Sequence, residues 1–263
     1  MSIFSCGDDF ILAIPRTLPV YTIGRSPRAV PLRGVVRVLT LDGVEYMELL
    51  LDKKNIQPEL INAINQGSDV VFISYSMIET TEEQIKFALA RILEKYGKEE
   101  YLTPIFSCIK ELTSNSTKAN AKRLLLEEGI ITETDDIIDI VRKLRTILNE
   151  EALLEYGIKS KVNRLSTRTY LKMQGNRLVI DVVNNLPLSK RDLARINERI
   201  EKSSKYDSIA EFYLENPDPA AEGMGLGLSM VVLLMKSINI SYKNFSVTTD
   251  GRTKTRARIT IPL

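Results

Sequence analysis

A chain of 263 residues holds one large domain or two modest ones. With 44% apolar residues, 27% charged residues and a net charge of +2, it reads as an ordinary globular protein whose charge gives no case for a nucleic-acid or membrane partner. The absence of histidine and the presence of only two cysteines, Cys6 and Cys108, exclude a nitrogen- or sulfur-ligated metal and a disulfide framework. Oxygen-ligated Mg²⁺ stays open, and a reduced cytosol fits the cysteine usage.

Residues 1–79 read as a separate, strand-rich N-terminal module. The runs "GVVRVLTL", "EYMELLL" and "DVVFISYSMI" have strand character, and "QPELINAINQG" reads as a short helix closed by Gly67. The apolar run "FILAIP" follows Asp8 and Asp9 and is too short for a signal peptide. "LSMVVLLM" falls far below the ~20 residues of a membrane span. A cytoplasmic protein without membrane contact is expected.

From residue 80 the period becomes helical. A helix is predicted after Thr81, with Ile85, Leu89, Ile92 and Leu93 on one face and Gly97 as its stop. A longer helix follows in "YLTPIFSCIKELTSNSTKANAKRLLLEEG", then a third helical region in "TETDDIIDIVRKLRTILNEEALLEYG". "RLSTRTYLKMQGNRLVIDVVNN" alternates and reads as a hairpin turning at Gln174, Gly175 and Asn176. A charged helix is predicted from Ser189, then a loop through Pro217 and Pro219, then the run "GMGLGLSMVVLLMK". That last helix is apolar nearly all round and is predicted to be core. Two closing strands turn at Asp250–Gly251. On the last of them Arg252, Lys254, Arg256 and Arg258 alternate with smaller residues, which predicts a solvated basic face in preference to a nucleic-acid contact.

Two features carry chemistry. Gly223, Gly225 and Gly227 directly precede a helix, so their amides and the helix N-terminus together can cradle phosphate. A loop that packs closely against a neighbour is the alternative. The strand of a dinucleotide fingerprint and the lysine of a P-loop are both missing. In the long central helix, Glu111, Asn115, Lys118 and Lys122 share one face, while Ile105, Ile109 and Leu112 share another. An amide oxygen can ligate Mg²⁺, an ammonium can neutralise phosphate, and a carboxylate can orient a hydroxyl. A solvated face with a Glu–Lys relation is the plain alternative.

The order of these features resembles the GHKL superfamily of histidine kinase-like and gyrase-type ATPases. "KELTSNSTKA" is similar to its N box, "GMGLGLSMV" to its G2 box, and "GRTKTRARITIPL" to its closing strand, while "LVIDVVNNLPLS" stands where a G1 box belongs. The likeness covers about residues 80–263. It implies an α/β (α+β) two-layer sandwich, the Bergerat ATP-binding fold, with helices on one side of a mixed sheet and ATP–Mg²⁺ between them. It implies Asn115 as metal ligand, Lys118 on phosphate, and the amides of Gly223, Gly225 and Gly227 capping the phosphates. Residues 203–222 would be the lid. Glu111 is the candidate to polarise a nucleophile, or else a partner of Lys118 or Lys122.

The G1 position departs from the pattern. Asn184, Leu186 and Leu188 stand where aspartate and two glycines are usual, and alternation places Asp181 on the opposite strand face. Asn184 can still accept from an adenine amino group, without the charge. Lacking histidine, the chain is no self-phosphorylating histidine kinase. The expectation is a cytoplasmic signalling protein that binds Mg-ATP and acts on a protein partner in trans, as kinase or ATPase. The alternative is a pseudo-kinase scaffold that binds protein without nucleotide.

Overall fold

The computed structural model describes residues 10–14, 35–41, 44–50, 57–76, 79–132, 134, 137–216 and 227–263. Its strands are β1 (Phe10–Ile14), β2 (Val35–Leu41), β3 (Val44–Leu50), β4 (Asp69–Ser74), β5 (Thr167–Met173), β6 (Arg177–Asn184), β7 (Phe245–Thr249) and β8 (Thr255–Pro262). Its helices are α1 (Gln57–Asn65), α2 (Glu79–Lys95), α3 (Leu102–Glu127), α4 (Ile137–Ile147), α5 (Glu150–Val162), α6 (Lys190–Ser203), α7 (Ile209–Glu215) and α8 (Gly227–Ser237). The main sheet has six strands in the order β1-β4-β5-β6-β8-β7, and β2 pairs with β3 in a separate ribbon.

The architecture is mixed α and β, as expected, with two differences of arrangement. Every pair in the six-stranded sheet is antiparallel, whereas the resemblance implied a mixed sheet. The expected division at residue 79 also does not run between two sheets. β4 pairs with β5 from Val70–Leu171 to Ser74–Thr167, so β1 and β4 extend the sheet built by the later strands. The cause is burial: Val70, Val71 and Phe72 are fully buried, and a strand apolar on both faces needs cover on both.

Strand alternation then divides the residues. On β6, Leu178, Ile180 and Val182 enter the main core with Ile85 and Leu89 of α2, Ile105 and Ile109 of α3, and Val231 and Val232 of α8. The neighbouring strands add Phe72, Leu171, Ile259 and Ile261 to this helix-facing layer. Val71, Ile73, Tyr170 and Val183 form a smaller cluster on the other face. The end of α8 is as apolar as expected, with Met235 buried.

Local signals explain most boundaries. Gly67 (φ 71°) closes α1, and Gly175 (φ 59°) makes the β5–β6 turn. Ser189 caps α6 by accepting from the Asp192 N–H at 3.0 Å. The third helical region is two helices rather than one, because Asn149 Oδ1 accepts the Ala152 N–H at 2.8 Å and starts α5 afresh. α5 also continues past Gly157, whose missing side chain lets it sit against Ser76. Within the segment expected to be loop, Ser208 caps the short α7, whose Phe212 is 1% exposed.

On the face away from the helices, Asp181 accepts from Arg258 Nε at 2.6 Å and Nη2 at 2.9 Å, with Lys172 Nζ at 3.5 Å. The last strand's basic face is therefore partly an ion-pair surface, not only a solvated one. Burial pushes the Asp181 carboxyl upward, but Arg258, Lys172 and Arg256 more than offset it and hold it below the usual carboxylate range. Its contribution is thus complete above the unfolded value of about 3.9 and is lost as pH falls through the lower folded value. Asp181→Asn is expected to lower unfolding free energy by about 2 kcal/mol, less than a pair buried at both ends because the Arg258 side chain is 37% exposed. Urea denaturation at pH 7 and pH 3 checks this: the difference between parent and variant shrinks at the lower pH.

Candidate functional site

α3 carries the expected stripe across the sheet. Its buried Ile105, Cys108, Ile109 and Leu112 lie in the apolar core. Further along, Thr113 Oγ1 lies 3.4 Å from Thr169 Oγ1 on β5, the Ser116 carbonyl accepts from Asn184 Nδ2 at 3.1 Å, and Asn120 Nδ2 donates to the Leu165 carbonyl at 3.3 Å. The helix thus passes from an apolar floor to a polar one.

That polar floor is a row in register across five strands. Ser74 pairs with Thr167, Thr167 with Asn184, Asn184 with Thr255, and Thr255 with Thr249. Directly opposed residues share a face, so all five point toward the helices. Ser74 and Thr167 are fully buried, and Asn184 is 5% exposed. Among the described residues Ser74 Oγ, Thr167 Oγ1 and Asn184 Oδ1 have no hydrogen-bond partner. A buried polar group left unpaired costs about 1–3 kcal/mol. Three neighbouring ones mark a place suited to a polar ligand or water. Only Asn184 was singled out from the sequence. The signal for the others was available, since each is a polar residue at a core-facing alternate position.

On α3, Asn115 Nδ2 donates to Glu111 Oε1 at 2.9 Å. This bond takes one oxygen of Glu111 and leaves the Asn115 carbonyl oxygen to point elsewhere. Lys118 lies one turn on, half-buried on the same face. Gly227, the first residue of α8, lies against Glu111, and a Cβ built on it would overlap the Glu111 carboxylate. The stripe and the last glycine of the run, more than a hundred residues apart in sequence, therefore meet. Gly223, Gly225 and most of the expected lid's second half lie outside the described residues. In the lid's first half, Tyr206 and Phe212 rings pack edge to face at 5.3 Å.

The G1 substitutions have defined places. Asp181 faces away from Asn184, as alternation required. Leu188 is half-buried and packs on the main core, while its N–H donates to Thr249 Oγ1 at 3.2 Å. The Leu186 carbonyl accepts from Thr255 Oγ1 at 2.7 Å. Two clefts among the described residues lie elsewhere, one on the opposite sheet face and one near Gly67 and Gly175. No cluster of three His, Cys, Asp or Glu residues suited to a metal occurs among the described residues. No helix among them is long and apolar enough to cross a membrane.

The chain is similar to an uncharacterized protein of Treponema pallidum (strain Nichols), 23% identical over 217 residues. That alignment covers 82% of this chain and 41% of the Treponema protein, so the chain spans less than half the length of that relative. No protein-family description matches the chain, and no solved structure matches it.

Two outcomes follow from the α3–α8 contact. Gly227→Ala is expected to expel the Glu111 carboxylate from its seat and to destabilise by about 1 kcal/mol, since a flexible side-chain end can yield. In a Glu111→Ala background the same change should be nearly neutral, and a double-mutant cycle by urea denaturation reads the coupling. Cys108 is fully buried with Sγ 3.8 Å from the Val231 carbonyl of α8. Burial, with a smaller push from Glu111, raises its thiol to about 12. Alkylation at pH 8 followed by mass spectrometry should leave Cys108 unmodified in the folded protein and modify it in urea.

Proposed function

We propose that this chain binds a purine nucleotide with Mg²⁺ between α3, the start of α8 and the polar end of the sheet, and acts through it on a partner protein. Asn184 carries the reading. Its amide nitrogen is fixed on the carbonyl of Ser116, the residue after Asn115 on α3, and its buried Oδ1 has no donor. A buried acceptor held in this way suits a ligand amino group. Ser74 and Thr167 continue the same unpaired row and suit further polar atoms of a base or its bound water.

The phosphate end is supported by a different set of residues. The bare Cα of Gly227 seats the Glu111 carboxylate at the N-terminus of α8, where the helix dipole favours anions, so a phosphate would bind beside or in place of that carboxylate. Asn115 offers its carbonyl oxygen to a hard cation, and Lys118 offers a positive charge one turn away. Glu111 holds the Asn115 amide at 2.9 Å and so positions the metal ligand. As a carboxylate it is also the group available to polarise a hydroxyl or water. Bound ATP would supply a transferable γ-phosphoryl group, for which the acceptor lies on another molecule or on a residue other than histidine. On this reading the protein is a cytoplasmic signalling protein of histidine kinase-like descent.

The second reading, a scaffold that uses the fold without nucleotide, is favoured by Leu188, which packs on the main core where the resemblance would have a glycine. Thermal-shift titration with Mg-ATP and Mg-ADP separates the two. A ligand specific for the folded state stabilises by about 2.7 kcal/mol at a hundredfold excess over Kd. The expected result is a rising Tm whose Mg²⁺ dependence disappears in Asn115→Ala. A flat Tm at millimolar nucleotide would leave the scaffold reading in its place.

A further inference from the structure

The face of the sheet turned away from α3 and α8 holds a second polar feature, unrelated to the nucleotide reading. Ile73, Arg168, Val183, Arg256 and Thr248 form one row in register across β4, β5, β6, β8 and β7. Val183 is 7% exposed, and the two arginines flank it. Their Cα atoms are separated by two strand spacings, about 10 Å, with both side chains on the same face. Long side chains at that spacing can bring both guanidinium groups to one point above Val183.

The Nε of each guanidinium is buried and has no hydrogen-bond partner among the described residues. The carboxylates nearby are already committed. Asp181, in the adjacent row, is held by Arg258 through both oxygens and by Lys172. Asp250 accepts the N–H groups of Arg252, Thr253 and Lys254 and the Thr253 hydroxyl, which closes the β7–β8 turn. Arg256 adds to the positive field that holds Asp181 charged, but at both arginines a buried Nε–H without an acceptor is unfavourable.

Beside them lies a cleft of about 140 Å³ lined by Ser166, Arg168, Val183, Asn185, Thr253 and Lys254. Its rim is built. Asn185 Oδ1 accepts the Ser166 N–H at 2.8 Å, and Asn185 Nδ2 donates to the Arg164 carbonyl at 2.6 Å, which fixes the rim at the end of β6. The lining offers donors and hydroxyls and no carboxylate among the described residues.

We propose that this cleft is a binding site for a phosphate-class oxyanion, free or as a terminal phosphomonoester, held by Arg168 of its lining and reached by Arg256 from the strand beside its Val183 wall. Guanidinium geometry favours this class, because each planar fork can give two parallel N–H···O bonds to a tetrahedral oxyanion. The size of the cleft suits one such group rather than a whole nucleotide. The site lies on the opposite side of the sheet from Asn115 and Asn184, so the two sites can be occupied together.

The test is a titration of inorganic phosphate into ¹⁵N-labelled protein in Mg²⁺-free buffer at constant ionic strength, with sodium chloride, acetate and phosphoserine as parallel arms. Saturable shifts at Arg168 and Arg256 Nε–H and at residues 166–168, 183–185 and 253–256 are expected. Arg168→Gln and Arg256→Gln should each weaken phosphate binding about tenfold or more, the scale of one lost charged hydrogen bond. Asn115→Ala should leave it unchanged. In phosphate-free buffer Arg168→Gln should melt no lower than the parent, because it removes a buried donor that has no acceptor, whereas Arg256→Gln also loses the attraction of Arg256 to Asp181. Tighter binding of phosphoserine than of phosphate would assign a monoester, and the reverse a free ion. Equal shifts with chloride or acetate, shifts confined to α3 and the start of α8, or glutamine variants that melt lower and still bind phosphate normally would each overturn the proposal.

Discussion

Alternation along β6 is the constraint from which the molecule's chemistry follows. With a period of two, Leu178, Ile180, Val182 and Asn184 must face the helices, while Val179, Asp181 and Val183 must face away. The first set gives three core residues and then a polar terminus. The second gives a carboxylate flanked by basic strands. Because β5 and β8 lie on either side in register, two β6 positions are flanked by matched pairs: Thr167 and Thr255 beside Asn184, Arg168 and Arg256 beside Val183. A slip of one residue would exchange the two faces and place Asp181 among Ile105 and Ile109, so the apolar core and the ion pair enforce one register together.

The helices then arrange themselves by what they must cover. α3 is long enough to cross both the apolar and the polar parts of this surface, and it does so with an apolar first half and hydroxyl- and amide-bearing residues further on. Its bonds to Thr169, Asn184 and the Leu165 carbonyl are spaced along the helix and fix its rotation. That rotation in turn presents Glu111 to Gly227. The polar side of the site is a consequence of how one helix satisfies the sheet beneath it, with the start of α8 docked on the same stripe.

Much of this was legible in the residues. Ile105, Ile109 and Leu112 announced the buried side of α3 by spacing, and Gly175 announced the hairpin by its need for positive φ. The opposition of Asp181 and Asn184 followed from strand period alone. What escaped was whatever depends on pairing between distant strands. Nothing local in "DVVFISYSMI" says that it docks beside Thr167–Met173 rather than closing a separate module, because a strand apolar on both faces fits either placement. The ion pair of Arg258 with Asp181 was hidden for the same reason. Alternation showed that Arg258 shares a face with Arg256, and only register showed which carboxylate it meets. The split between α4 and α5 was missed because the pattern continues across Asn149 and only its capping bond interrupts it.

The contact between Gly227 and Glu111 has a consequence for how this chain can change over generations. Positions 111 and 227 share one small volume, although they lie on helices more than a hundred residues apart. Side-chain bulk gained at either must be surrendered at the other, so the two are free to drift only in tandem. Descendants that lengthen one would be expected to shorten its mate, leaving a paired trace in the lineage even where the residues between them have diverged.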